Sequence, residues 1–169
     1  MSYAGFEMKV MMKGLALVVV CSLVAIANAE TKTEKTAKLA LSVPDGWKLD
    51  VKDLGIRGES KDKEVAVLAW PVDSADADAM QKKIEGEIYS AVASLKWDKP
   101  STGKTHGMTT TYLSGTGHAV GGDMAIKAAV IGPGKAKKWL LVALAVKTDK
   151  LDAHKAEIQT VLDSVQAAK

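Results

Sequence analysis

Thiols, arginines and histidines are scarce in this 169-residue chain. The one cysteine, Cys21, lies in an apolar N-terminal run. If that run is removed, no thiol remains for a disulfide, a thiolate metal site or a cysteine nucleophile. Arg57 is the only arginine, which argues against a two-pronged clamp on phosphate or carboxylate groups. Charge of one sign is lacking as well. Lysine and arginine number 23 against 20 acidic residues, for a net charge of +3. Only Glu7, Lys9 and Lys13 precede Glu30, so 21 basic and 19 acidic groups follow. That near-balance argues against a dedicated nucleic-acid binder. Phenylalanine occurs once, and aromatic residues make up 5% of the chain.

What is present is ordinary for one globular domain: 47% hydrophobic and 25% charged residues. The first patterned stretch is N-terminal. Lys9 and Lys13 precede the apolar segment Leu15 to Ile26, and Ala27-Asn28-Ala29 follows. A positive start, a short apolar core and a small-x-small site read as a cleavable export signal over 1–29, cut after Ala29. Met8, Met11 and Met12 are alternative starts. Acylation of Cys21 fits poorly, because Val20 precedes it and the apolar run continues beyond it. Export to a periplasm or the exterior is the expectation. About 140 residues remain after such a cut, enough for a core without staples.

Residues 30–38 (ETKTEKTAK) are polar and lack an apolar period, and read as a disordered lead. The rest, 39–169, reads as a single α+β domain. Leu39, Leu41 and Val43 alternate with small or polar residues. Pro44-Asp45-Gly46 then marks a turn. Trp47, Leu49 and Val51 alternate with charged neighbours as a half-buried strand. Ile56 to Ser60 and Glu64 to Trp70 are two more strands, the second ended by Pro71. Asp73, Ser74 and Asp76 offer helix caps. Met80, Ile84, Ile88, Ala91, Val92 and Leu95 then recur at helical steps, predicting a helix over 76–95. Gly86 within it suggests close packing on a sheet. Asp98 to Gly103 reads as a loop and Met108 to Ser114 as a strand. Gly115 to Gly122 reads as bulged or hairpin-like.

The centre of the sheet is predicted at Asp123 to Val146. Trp139 to Val146 is eight apolar residues long, which suits a strand buried on both faces. Gly132-Pro133-Gly134 supplies the reversal before it. The chain closes with a helix whose apolar stripe is Leu151, His154, Ile158, Val161, Leu162 and Val165, capped by Thr148 or Asp149. Short connections imply antiparallel neighbours, with the sheet flanked by helices.

Leu41-Ser-Val-Pro-Asp-Gly-Trp47 resembles the Pro-x-Gly-Trp opening of the PsbP-like fold family, and the order of elements agrees over roughly 39–168. The resemblance implies an antiparallel sheet between helices. It also implies an envelope accessory role without catalysis. It supplies no site residues.

Each candidate for chemistry has a plainer reading beside it. Gly115 to Gly122 lacks the Gly-x-Gly-x-x-Gly spacing and the helix that a phosphate loop needs, which favours a hairpin. His106 and His118 flank one strand and would form a metal or catalytic site only by converging with a carboxylate such as Asp123. Exposed loop histidines are the plainer reading. His154 reads as a boundary residue of the last helix. Asp73, Asp76 and Asp78 lack calcium-loop spacing and read as caps. Ser42, Ser60, Ser90 and Ser114 lack a nucleophile elbow. Trp47, Trp70, Trp97 and Trp139 read as core filling rather than a binding platform. Lys135, Lys137 and Lys138 read as a solvated hairpin tip, with an anionic membrane contact as the sharper alternative.

The sequence therefore points to an exported, non-enzymatic accessory protein that binds another envelope protein. No catalytic, cofactor or metal site is expected, no nucleic acid, and at most transient membrane contact. The second reading is a small-ligand or lipid carrier using a cleft between the sheet and helix 76–95.

Overall fold

The computed structural model describes residues 29–52, 55–88 and 91–169. The expected export signal, with Cys21, lies outside them apart from Ala29.

The described elements follow in this order: β1 (Glu30–Glu34), β2 (Leu39–Val43), β3 (Lys48–Lys52), β4 (Gly55–Glu59), β5 (Val65–Val72), α1 (Ala77–Ile88), β6 (Val92–Trp97), β7 (Ser101–Thr105), β8 (Met108–Ala119), β9 (Gly122–Gly132), β10 (Trp139–Lys147), a 3₁₀ turn (Thr148–Lys150), α2 (Leu151–Asp163) and β11 (Gln166–Ala167). The main sheet runs β3-β4-β5-β10-β9-β8-β6, with β7 paired to the other half of β8. Its paired strands are antiparallel. A small sheet, β1-β2-β11, lies beside it.

The β9–β10 hairpin is central, as its composition predicts. Leu140 pairs with Ile131 and Val146 with Ala125. Period-two alternation sends Leu140, Val142, Leu144 and Val146 to one face, and Leu141 and Ala143 to the other. On the first face they meet Ile158, Val161 and Leu162 of α2 and Leu39, Leu41 and Val43 of β2. On the second they meet Met80, Ile84 and Ile88 of α1. Each such side chain, once fully buried, contributes about 1.5–3 kcal/mol. The result is an α+β sandwich with both faces of the central sheet covered.

Several expectations change. Residues 30–38 are not a disordered lead. Glu30 to Glu34 pair with Val43 to Leu39, and the Glu34 carboxylate accepts the amides of Thr36 and Ala37 to close the turn. Alternation of Thr31 and Thr33 with charged residues suits an edge strand, a pattern that apolar periodicity misses. Pro71 lies inside β5 rather than ending it. The pairing of β4 with β5 stops at Ile56↔Ala69, so Pro71 has a neighbour on one side only and its missing N–H is tolerated.

The helix ends at Ile88, and 92–97 form β6 on the open edge of β8. Val92 and Leu95 sit at helical spacing, but pairing with a free sheet edge overrides that weak preference. The 98–103 loop includes the start of β7, paired to β8. Gly115 and Gly117 belong to a continuous β8, where a Cβ would lie within 3 Å of Trp97 or Val92. The bulge is on β6, between Ala93 and Lys96. Gly86 faces open space and marks no close packing. Neither Thr148 nor Asp149 caps α2; the 3₁₀ turn leads into it without a side-chain cap.

Candidate functional site

The densest group of interacting ionisable side chains among the described residues lies where the β4–β5 turn meets α2. The turn is built by its own side chains. Lys63 donates its amide to Ser60 O (2.9 Å) and Ser60 its amide to Val65 O (2.8 Å). Ser60 Oγ accepts the Val65 amide and donates to Asp62 Oδ1 at 2.6 Å. The Glu64 amide also donates to Asp62 Oδ1, at 3.1 Å. This leaves Asp62 Oδ2 pointing at α2, 3.4 Å from His154 Nε2. Glu64 is divided in the same way. Its Oε1 accepts Lys150 at 2.9 Å, and its Oε2 lies 3.1 Å from the same imidazole nitrogen. The other ring nitrogen, Nδ1, bonds Glu157 one turn along α2 at 2.9 Å.

His154 is 93% buried, whereas Asp62 is exposed and Glu64 half-buried. The Glu157 carboxylate, then that of Glu64, raises the His154 pKa above the ordinary imidazole value. The Ser60 hydroxyl and the Glu64 amide hold Asp62 below the usual carboxylate range. Lys150, then His154, does the same for Glu64. One donor atom each from Asp62, Glu64 and His154 lies within 4.8 Å of the other two. An open groove of about 420 Å³, lined by Asp45, Trp47, Ser60, Lys61, Asp62 and Glu157, adjoins the cluster. Such a set can exchange a proton or hold a cation.

The sequence reads His154 as a boundary residue of the last helix; the structure buries it, and nothing in the sequence signals Asp62 or Glu64 beside it. They lie 92 and 90 positions away in the chain, and no spacing rule spans that gap. The histidines it singles out do not converge. His106 precedes β8 and His118 is its penultimate residue, so they lie near opposite ends of a strand roughly 40 Å long at about 3.3 Å per residue. His106 Nε2 lies 2.9 Å from Asp163 O, and exposed His118 pairs with Asp123 at 2.9 Å across the β8–β9 hairpin. Val120 and Gly121 turn that hairpin, and a strand follows rather than a helix.

Asp76 caps α1 through the Ala79 amide, whereas Asp73 pairs with Lys138 at the β9–β10 turn. Trp47 and Trp70 are buried in the two cores, and Trp97 Nε1 donates to Glu85 at 2.7 Å. Lys135 and Lys137 are exposed. The cleft expected between α1 and the sheet is an apolar gap of about 20 Å³, lined by Ile84, Ile88, Ile126 and alanines among others. It offers room for about one water and none for a carried ligand. No helix among the described residues is long and apolar enough to cross a membrane.

No protein-family model matches the sequence, and no curated protein matches it. Solved structures do match its fold. The cyanobacterial PsbP (CyanoP) of Synechocystis sp. PCC 6803 superposes with a TM-score of 0.63 at 12% identity, over 89% of this chain and 98% of its own. The Ran-binding protein Mog1p of Saccharomyces cerevisiae gives 0.55 at 10% identity, over 84% and 96%. LpqN of Mycobacterium tuberculosis, involved in cell envelope biogenesis, gives 0.54 at 11% identity, over 84% and 86%. With the Pro-Asp-Gly-Trp47 opening between β2 and β3, the chain has the PsbP-like fold.

Proposed function

We propose that this chain is an exported, non-enzymatic accessory protein of the bacterial envelope that works by binding another envelope protein. The observation that carries the reading is the PsbP-like fold, set directly behind a segment with the charge, apolar core and small residues of an export signal. Fold alone does not define a function, but the neighbours support a binding role. One is named for binding Ran and another acts in envelope biogenesis. The test is cross-linking in intact cells, followed by mass spectrometry of the native complex. The expected product is a chain beginning at Glu30 joined to one recurring envelope protein. A chain that keeps residues 1–29, or one that repeatedly stays free of partners, overturns the reading.

A second reading, carriage of a small apolar anion, moves from α1 to α2. A groove of about 260 Å³ lies between α2 and β8–β9, with Tyr112, Leu151, Ile158 and Leu162 as apolar lining and Lys127 and Lys155 beside them. A fluorescent fatty acid displaced by its unlabelled form supports this reading. Equal fluorescence with and without the protein removes it.

A further inference from the structure

We infer that Asp62, Glu64 and His154 form a binding site for one divalent transition-metal cation, with Zn2+ as the ion that suits the donors best. Three features of the geometry carry this.

The first is spacing. Ligand atoms held at about 2.0–2.1 Å around a tetrahedral zinc ion lie about 3.3 Å from one another. His154 Nε2 lies 3.1 Å from Glu64 Oε2 and 3.4 Å from Asp62 Oδ2. The cation would take the place of a proton on Nε2.

The second is the supporting layer. Metal-ligating histidines characteristically give their other nitrogen to a carboxylate, which fixes the ring and its tautomer. Glu157 does this for Nδ1 at 2.9 Å. Each carboxylate is also anchored by its other oxygen: Asp62 Oδ1 by Ser60 Oγ and the Glu64 amide, Glu64 Oε1 by Lys150. The atoms facing Nε2 are the free ends of anchored groups, as a prearranged site requires.

The third is charge. With a neutral imidazole, the carboxylates of Asp62, Glu64 and Glu157 against the Lys150 ammonium leave two negative charges around a nine-tenths buried ring. A divalent cation cancels them. One imidazole with two carboxylates suits zinc better than calcium or magnesium, which favour all-oxygen sets. The half-exposed side of Asp62 faces the groove, which gives the ion a way in and leaves a fourth position for water.

The experiment is titration of the chelator-treated full chain with Zn2+ at neutral pH, read by calorimetry and native mass spectrometry. The expected result is one zinc ion per chain. Asp62→Asn and Glu64→Gln are expected to weaken binding at least 10-fold, and Glu157→Gln by about 10- to 100-fold. His118→Ala, on the β8–β9 hairpin and outside the set of ligands, should leave it unchanged. Failure to bind zinc overturns the site, as does an affinity that either the Asp62 or the Glu64 substitution leaves intact. Cobalt(II) bound to the unaltered protein supplies a measurement independent of any variant's folding. A four-coordinate visible spectrum supports the site, and a six-coordinate one overturns it.

Discussion

Gly86 lies on the exposed side of α1, with nothing within 4 Å of where a Cβ would stand. Glycine in a helix interior costs about 0.5–1 kcal/mol relative to alanine. Gly86→Ala should therefore stabilise the protein by about that amount, visible as a higher urea midpoint with an unchanged slope. His154 makes a second prediction, for protein kept free of metal by a chelator. Its carboxylate neighbours raise its folded pKa. The stability that its charge contributes is fully present below the ordinary imidazole value of about 6.5, and is lost as pH rises through the elevated folded value. Asp62 and Glu64 shift the other way. Their contribution is present above the ordinary carboxylate values and is lost as pH falls through the depressed folded ones. Thermal unfolding against pH should thus show a maximum between the two ranges. In His154→Gln the decline on the alkaline side should vanish while the acid limb persists. At this scale the sequence is legible for caps and core, since Asp76 and Trp47 can be read directly. It is silent on the site, because a histidine and two acids 90 or more positions apart meet only through the fold.

Strand β6 shows what a single element demands of its neighbour. Its Trp97 and Val92 side chains lie over Gly115 and Gly117 of β8, where no Cβ fits. At Gly117 an added Cβ would stand 2.5 Å from Val92 Cγ1 and 3.0 Å from Ala93 O. Gly117→Ala should cost about 1–3 kcal/mol through this overpacking. It should also raise amide exchange in Val92 to Trp97 while leaving β9–β10 protected. If exchange rises evenly across the sheet, the account of β6 is wrong. The same strand is why α1 stops short of residue 95, the end that its apolar period predicts. Residues 91–95 carry apolar groups compatible with either period, and only the free edge of β8 decides between them. The eight-residue run of β10 had no such ambiguity, because a run buried on both faces fits a central strand. β1 is illegible in the sequence for the opposite reason. Its Thr and Lys residues bury little, and its order comes from pairing with β2 and from the Glu34 turn.

For the molecule as a whole, stability is concentrated where both faces of the sheet are covered. Leu140, Leu141, Val142 and Leu144 are fully buried, and β10 is paired along its length to β5 and β9. The slowest-exchanging amides should lie in these three strands and report global unfolding, whereas β3 and β7, at the margins of the sheet, should open first. Amides of β7 as slow as those of β10 would contradict this layering.

The small sheet has a consequence for the order in which the fold is completed. Ala40 pairs with Gln166, and the Ser164 hydroxyl clasps the backbone of Ser42 from both sides. A chain emerges from the ribosome N-terminal end first, so β2 can gain β1 early but must wait for β11 until more than 120 further residues have appeared. Until then its outer edge is unpaired and α2 is missing from the face behind it. The domain cannot lock while any late part is still inside a ribosome, so its closing contacts form together at the end of synthesis.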